Sequence, residues 1–486
     1  MIENIPLPMA LKTLAALWSR QGAVLYGVGG IVRNGLLGLP PSDLDICSAM
    51  LPQGVLELCR AQGIPCIPKA LQFGTVEIHY QGLKLEHTTF RGQEEYEAGG
   101  SHRPRAVTLG AEMEQDAFRR DFTCNAMYIE ILSGDILDPT MGKQDVSRRI
   151  LRATTPDPHV ILQDDGLRVL RLVRFACELG FAIEENTWAA AKDCVAGLGD
   201  IAWERKREEL SKILLSDVRY PALHQGHAPV LYGLHLLHEI GALPYVLPEL
   251  LEGKGVPQRP QYHRYEVMEH NFHACAAAPP QLTLRLAALL HDVGKPAALR
   301  EKQLPMDAGG HACTPGELAL PRGVTPMLGH DSIGAQMALC MLERLRYPKK
   351  IAEEAADLIA HHMYDLNGKA KENTLRARFA GWGYEHSLAL CALREADVRG
   401  SGYETQWVAK RWREVLENMQ REGAPFSEGQ LCCTGKDIME WLNIPPGPAV
   451  GEIKRKLLLH CARYPKDNTP ERLKKAAQGM NAPGSR

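Results

Sequence analysis

Hydrophobic and polar positions change period along this chain. Leu11 to Arg20 has helical spacing, and AVLYGVGG (23–30) is a short apolar run that ends in paired glycines. The run predicts a strand, IVRNGLLG (31–38) a helix, and LDICSAM (44–50) a second strand. TVEIHY (75–80) and LKLEHTTF (83–90) flank Gln81-Gly82, which predicts a hairpin turn. From Asp164 to about Ser216 the pattern turns helical. Leu167, Leu170, Leu172, Val173 and Phe175 recur at helical spacing, and Glu204 to Leu215 reads as a charged amphipathic helix. Later segments are helical throughout, with breaks at Pro/Gly-rich stretches 253–260, 303–329 and 444–448. The expectation is an α+β chain: an α/β head of about 140 residues, then a long helical body.

Composition narrows the class. The 486 residues are enough for about three units at roughly 150 residues each. Lys and Arg number 56 against 58 for Asp and Glu, which excludes a histone-like binder but leaves room for a local basic patch. The 13 cysteines show no C-x-x-C pair, so they read as reduced thiols rather than a disulfide scaffold or a thiolate zinc site. The most apolar region, 228–251, is interrupted by His235, His238, Glu239 and Pro244, so it reads as core helix and not a membrane span. The N-terminus lacks the basic segment of a secretory signal. A soluble cytoplasmic protein with no membrane association is expected.

The first chemical signal is GVGGIVRNGLLGLPPSDLDIC (27–47). Gly29 and Gly30 stand between a strand and a helix, where backbone N–H groups approach a phosphate closely. Arg33 follows one turn in, placed to add charge to the same anion. Asp43 and Asp45 are two apart, hence on one face of a strand, and offer two carboxylates to divalent cations. Phosphoryl transfer needs that arrangement. Alone, the glycines would read as a tight turn and D-x-D as a solvated edge strand; in succession they read as a catalytic head.

GGIVRN and SDLDIC together resemble the head motif of the nucleotidyltransferases related to DNA polymerase beta, specifically the class II CCA-adding tRNA nucleotidyltransferases and bacterial poly(A) polymerases. The likeness continues through nearly the whole chain. HRPRAVTLGAEMEQDAFRRDFTCNAMY (102–128) resembles the family's flexible loop and its R-D-F-T-x-N-A motif. DPTMGKQDVSRRILR (138–152) is similar to its D-P-x-G-G-x-x-D-L segment, with Met141 where glycine is usual. DDGLRVLRLVRFACELGF (164–181) resembles the nucleotide-selecting E-D-x-x-R motif, with Asp164 for the usual Glu, and ERKREELSKILLS (204–216) the neck helix. Asn34 stands where the family usually has Asp, which implies a tuned site rather than an inactive one.

The resemblance implies Mg²⁺ on Asp43 and Asp45 as the catalytic pair, and nucleotide contacts from Gly30, Arg33, Arg120, Arg171 and Arg174. Asp165 and Arg168, three apart, are expected as neighbours on a helix surface. A carboxylate accepts from an exocyclic amine and a guanidinium donates to a ring acceptor, so this pair would take cytosine or adenine and reject uracil or guanine. Glu86 reads equally as a third metal-facing carboxylate or as an exposed strand residue.

In the helical body, His270, His291-Asp292 and Asp397 form the H…HD…D pattern, and this region resembles the HD-domain phosphohydrolases. It implies a divalent metal (Mg²⁺, Mn²⁺ or Ni²⁺), with His330 and His361-His362 available for a second. In the tail, Lys454, Arg455 and Lys456 lie beside Gly451, which is expected to open a helix. A helix end with flanking lysines can hold tRNA phosphates, and each lysine singly reads equally as part of a solvated helix face. The expected domains are a nucleotidyltransferase head (1–145), a nucleotide-selecting and RNA-binding neck (146–250), an HD domain (251–405) and a tRNA-binding tail (406–486). The leading reading is CCA addition to tRNA from CTP and ATP. Adenylyl addition alone, an HD hydrolase with a binding-only head, and a regulatory RNA-binding protein are the alternatives.

Overall fold

The glycine turn, the carboxylate strand and the hairpin come together in one mixed sheet. The computed structural model describes residues 5–40, 44–96, 104–224, 226–302, 327, 329–403 and 407–480. They fall into two compact units, Met1–Pro248 and Glu249–Arg486. In the first unit the strands are β1 (Tyr26–Val28), β2 (Asp45–Ser48), β3 (Cys66–Ala70), β4 (Thr75–Tyr80), β5 (Leu83–Thr89), β6 (Arg91–Tyr96), β7 (Pro104–Leu109), β8 (Tyr128–Glu130) and β9 (Ile136–Leu137). The main sheet has the order β3-β4-β5-β2-β1-β8-β9. Only β2 and β5 pair in parallel there, and their register sets Asp45 opposite Glu86.

Gln81 and Gly82 both take positive φ (47° and 79°), the backbone of a tight hairpin turn between β4 and β5. The helix Met9–Arg20 buries Leu11, Leu14, Ala15 and Trp18. Trp18 donates from Nε1 to Ser48 Oγ at 3.3 Å, and Ser48 Oγ meets His87 Nε2 at 2.8 Å. Behind the glycine turn, Val28, Cys47, Phe90, Ala117, Ala126 and Tyr128 form a buried cluster.

The polar stretch from Arg91 to Pro104 has strands for arms: β6 and β7 form their own antiparallel ribbon. The tip, 97–103, lies outside the described residues. Two further short strands inside the expected helical region, Ile150–Leu151 and Ala182–Ile183, pair in parallel. The helices Pro158–Asp164, Leu167–Leu179 and Trp203–Leu214 then build the wall of the site.

The second unit is helical among its described residues. Helices Val267–Ala277, Leu282–Leu290, His330–Arg344, Lys349–His361 and Tyr384–Gly400 surround a polar centre. In the tail, the helix expected to open at Gly451 starts three residues earlier, at Pro448, with Gly447 as its N-cap. Pro at the first helical position, where no N–H is needed, explains the earlier start. Gly451 is therefore inside the helix and offers no free helix end. No described helix is long and apolar enough to cross a membrane.

Candidate active site

A polar cavity of about 430 Å³ opens where the glycine turn faces the helix Leu167–Leu179. Gly29 takes φ 70°, a left-handed conformation that glycine adopts without strain, and its N–H donates to the Met127 carbonyl at 3.2 Å. The chain then enters the helix Gly30–Leu36. Among the described residues, eight arginines and one lysine line the cavity, against Asp45, Asp121 and Asp165. Such an excess of cations is costly without an anionic ligand, and it is the electrostatic form of a polyphosphate site.

Every nucleotide-binding candidate from the sequence lines this cavity: Gly30, Arg33, Arg120, Asp165, Arg168, Arg171 and Arg174. Asp45 does too, exposed at the start of β2. Asp43 lies outside the described residues. Glu86, beside Asp45 in register, lies 3.3 Å from Lys69.

Sequence motifs far apart in the chain are joined here by one hydrogen-bonded string. Arg33 is buried and donates to Asn34 Oδ1 at 3.0 Å and to Asn125 Oδ1 at 2.5 Å. Asn125 donates to Asp121 Oδ1 at 3.1 Å, and Asp121 Oδ2 accepts from Arg171 at 2.8 Å. Burial opposes ionisation of Asp121, but Arg171 and Asn125 overcome it and hold the carboxyl down at about 2. Asn34 donates in turn to the Tyr220 hydroxyl at 3.0 Å. An amide at position 34 orients Arg33 without cancelling its charge, so the Asp-to-Asn departure leaves the anion-binding role intact.

Arg120 is fixed by a different carboxylate. Asp116, buried, accepts from Arg119 at 2.6 Å, from Arg120 at 2.9 Å, from the Tyr128 hydroxyl at 2.7 Å and from the Arg91 backbone N–H at 3.1 Å. Burial again opposes the charge, and the two arginines hold the carboxyl well below its ordinary range.

Asp165 and Arg168 are not neighbours on one helix. The helix starts at Leu167, and Asp165 sits in the extended link after Pro158–Asp164, with φ −144°. The chain leaves the helical conformation at Asp165 itself, and Gly166, already helical at φ −55°, packs against Gly197, where an added Cβ would come within 2.6 Å of backbone. The Asp165 carboxylate accepts from Arg205 at 2.6 Å and from the Leu167 N–H at 3.0 Å. Arg168 donates to the carbonyls of Ile161 and Arg119 at 2.5 and 2.9 Å. Each group is thus aimed separately into the same cavity. Arg174 is engaged by Glu178 and Glu209, at 2.8 and 2.5 Å. The sequence reading missed Arg205, Asp121 and Asn125 as site residues, although all three stand within motifs it had singled out.

The second unit gathers His270, His291, Asp292 and Asp397, and adds His330 and His362. His270 Nε2 and His291 Nε2 are 3.0 Å apart, and Asp397 Oδ1 lies 3.2 and 3.6 Å from them. Asp292 Oδ2 is 3.4 Å from both, while Asp292 Oδ1 is 3.2 Å from His330 Nε2. His330 and His362 donate Nδ1–H to the carbonyls of Met327 and Ile359, so two Nε2 lone pairs face each other 3.3 Å apart. Lone pairs so placed need a cation between them, and the imidazole–carboxylate set suits a divalent metal. His270, His291 and Asp292 would hold one such ion, and Asp292, His330 and His362 could hold a second. Desolvation disfavours a charged His291, but Asp292 and Asp397 outweigh it and push the group up to about 10. His361 points elsewhere, into a separate cluster with Asp357 and His386.

Comparison with known proteins matches this architecture. Residues 25–152 match the model of the Poly A polymerase head domain, 180–253 that of the probable RNA and SrmB-binding site of polymerase A, and 262–398 that of the HD domain. The A-adding tRNA nucleotidyltransferase of Deinococcus radiodurans is 31% identical over 451 residues, covering 90% of each chain. The CCA-adding enzyme of Geobacillus stearothermophilus is 28% identical over 437 residues, 89% of this chain and 87% of that one. The crystal structure of the Bacillus stearothermophilus CCA-adding enzyme in complex with CTP shares the fold, with a TM-score of 0.66, 24% identity and 97% of each chain covered. With relatives this similar along nearly its whole length, the chain belongs to the tRNA nucleotidyltransferase family of A-adding and CCA-adding enzymes, with a poly(A) polymerase head and an HD domain.

Proposed function

We propose that this chain completes the 3′ CCA end of tRNA without a nucleic-acid template, using CTP and ATP and releasing pyrophosphate. The observation that carries the reading is a single cavity holding Asp45, a ring of arginines, and the Asp165 and Arg168 groups. Oxygen donors suit a hard cation, and Asp45 lies in register with a further carboxylate, Glu86. Asp43 and Asp45 would hold Mg²⁺, which when bound neutralises phosphate charge and aids the incoming hydroxyl. The primer 3′-hydroxyl attacks the α-phosphorus, the bond to the bridging oxygen breaks, and pyrophosphate leaves. Arg33, Arg120 and Arg171 neutralise the triphosphate; each is already oriented by its own partner, so little entropy is lost on binding.

Base choice follows from donor and acceptor chemistry. Asp165, held by Arg205, accepts from the exocyclic amine of cytosine or adenine. Arg168 has two donors committed to backbone carbonyls, which fixes its plane and leaves others for the base acceptor. Uracil and guanine would turn a carbonyl toward Asp165 and be repelled. Incubation of the protein with tRNA lacking CCA and each nucleoside triphosphate in turn tests this. Incorporation from CTP and ATP is expected; equal incorporation from UTP or GTP would refute it.

The facing imidazole lone pairs favour a second activity, metal-dependent hydrolysis of phosphomonoesters or cyclic phosphates at the HD centre. Mg²⁺, Mn²⁺ or Ni²⁺ would be held by His270, His291, Asp292 and Asp397, with His330 and His362 for a second ion. Metal-stimulated hydrolysis of a 2′,3′-cyclic nucleotide that disappears in His291→Ala/Asp292→Ala is the expected result. No hydrolysis with any of the three metals would remove this reading.

A further inference from the structure

Three histidines of the HD centre share one device. Nδ1 of His291, His330 and His362 each donates to the backbone carbonyl three residues earlier, at 2.8, 2.6 and 2.6 Å. That bond fixes the tautomer and leaves the Nε2 lone pair for a ligand. A near-copy of the device occurs outside the centre. His361 donates Nδ1–H to the Asp357 carbonyl, four residues back on Lys349–His361, at 2.9 Å.

Around His361 stand two more metal-ligating groups. The Asp357 carboxylate lies 3.3 Å from His361 Nδ1, and its other oxygen lies 3.3 Å from His386 Nε2. His386 Nε2 is nevertheless buried without a hydrogen bond. One ligand atom from each of the three residues lies within 4.8 Å of the others. Ligands of a tetrahedral Zn²⁺ at about 2.1 Å stand about 3.4 Å apart, so the Asp357–His386 spacing already fits. Trp382 walls the cluster, its ring 4.9 Å from that of His361 and 6.0 Å from that of His386.

We propose that Asp357, His361 and His386 form a separate site for a borderline divalent cation such as Zn²⁺, with its fourth position open to water. Two imidazoles and one carboxylate are the donor set such an ion prefers. The site would also act on its surroundings. His361 directly precedes His362, and His386 lies eleven residues, about three turns, before Asp397 on the same helix face. An ion there ties together the two helix segments that deliver His362 and Asp397 to the HD centre.

The test uses the full chain, stripped with chelator and titrated with Zn²⁺ against a chromophoric competitor. His386→Ala and Asp357→Asn should each bind one equivalent fewer than the unaltered protein, and His291→Ala should retain the equivalent they lose. Asp357 is exposed, so Asp357→Asn preserves the fold, and Co²⁺ loading gives a second reading: visible absorption bands present before substitution should weaken in that variant. Unchanged stoichiometry and affinity in both variants would overturn the proposal. Loss of every equivalent in Asp357→Asn would overturn it too, since the site would not then be separate.

Discussion

At the scale of single residues, the site depends on cations that are oriented before the nucleotide arrives. Arg205 is the sharpest case. It pairs with Asp165 at 2.6 Å, with the carboxylate largely buried. Removing it by Arg205→Ala should let Asp165 swing and weaken the charge-assisted bond to the base amine, a loss of about 1.4 kcal/mol or tenfold. The expected outcome is a KM for CTP and ATP raised about tenfold, with UTP incorporation rising relative to both. Unchanged discrimination in steady-state kinetics would show that Arg205 does not position the reader. Asp45→Ala carries the opposite kind of prediction. The side chain is exposed, so the fold should survive by circular dichroism while nucleotide addition falls by about a thousandfold or more, the scale of losing a phosphoryl-transfer metal ligand. A folded variant that keeps near-normal incorporation would disprove its metal role.

Among elements, β5 holds a titratable group that makes the head sensitive to acid. His87 is fully buried; Trp18 and the Met50 N–H both donate to Ser48 Oγ, so the Ser48 hydroxyl proton goes to His87 Nε2. Desolvation holds the imidazole down at about 3, against its ordinary 6.5. The unfolded chain therefore binds a proton below pH 6.5 that the folded chain refuses, and stability falls as pH drops toward 3. Between pH 6.5 and 5 the loss is about 2 kcal/mol. His87→Gln should flatten that part of the urea midpoint against pH, whereas parallel curves for the two proteins would contradict it. Elements with a strong period could be read from the chain: the β4–β5 hairpin with its Gln81-Gly82 turn, the helix after the glycine pair, and Leu282–Leu290 running into His291-Asp292. Errors arose where tertiary contact overrides local pattern. The arms RGQEEY and PRAVTL include a polar strand with no hydrophobic alternation to betray it. The close approach of Gly166 to Gly197, thirty-one residues away, lies in no window of local sequence. Ion-pair partners such as Arg205 for Asp165 are equally non-local, so the cavity's members could be named while their pairing could not.

For the whole molecule, the arginine-lined cavity and the histidine–aspartate cluster are built from different residues in different compact units. His291→Ala/Asp292→Ala should therefore leave addition to tRNA within about twofold of normal, the size of effect expected when no contact to the reacting groups is lost. Abolished addition in a folded double variant would mean that the two units are catalytically coupled. Complete CCA addition demands more of the first unit than adenylyl transfer does, because one Asp165/Arg168 reader must accept cytidine twice and then adenosine. The ribbon of β6 and β7 begins at Arg91, whose N–H is held by Asp116 together with Arg119 and Arg120. The ribbon is thus connected through Asp116 to two arginines that line the nucleotide cavity. The decisive measurement is a tRNA ending at its discriminator base, given labelled CTP alone and then ATP. The account predicts two cytidines followed by one adenosine; no cytidine incorporation, with adenosine readily added to a tRNA already ending in CC, would contradict it.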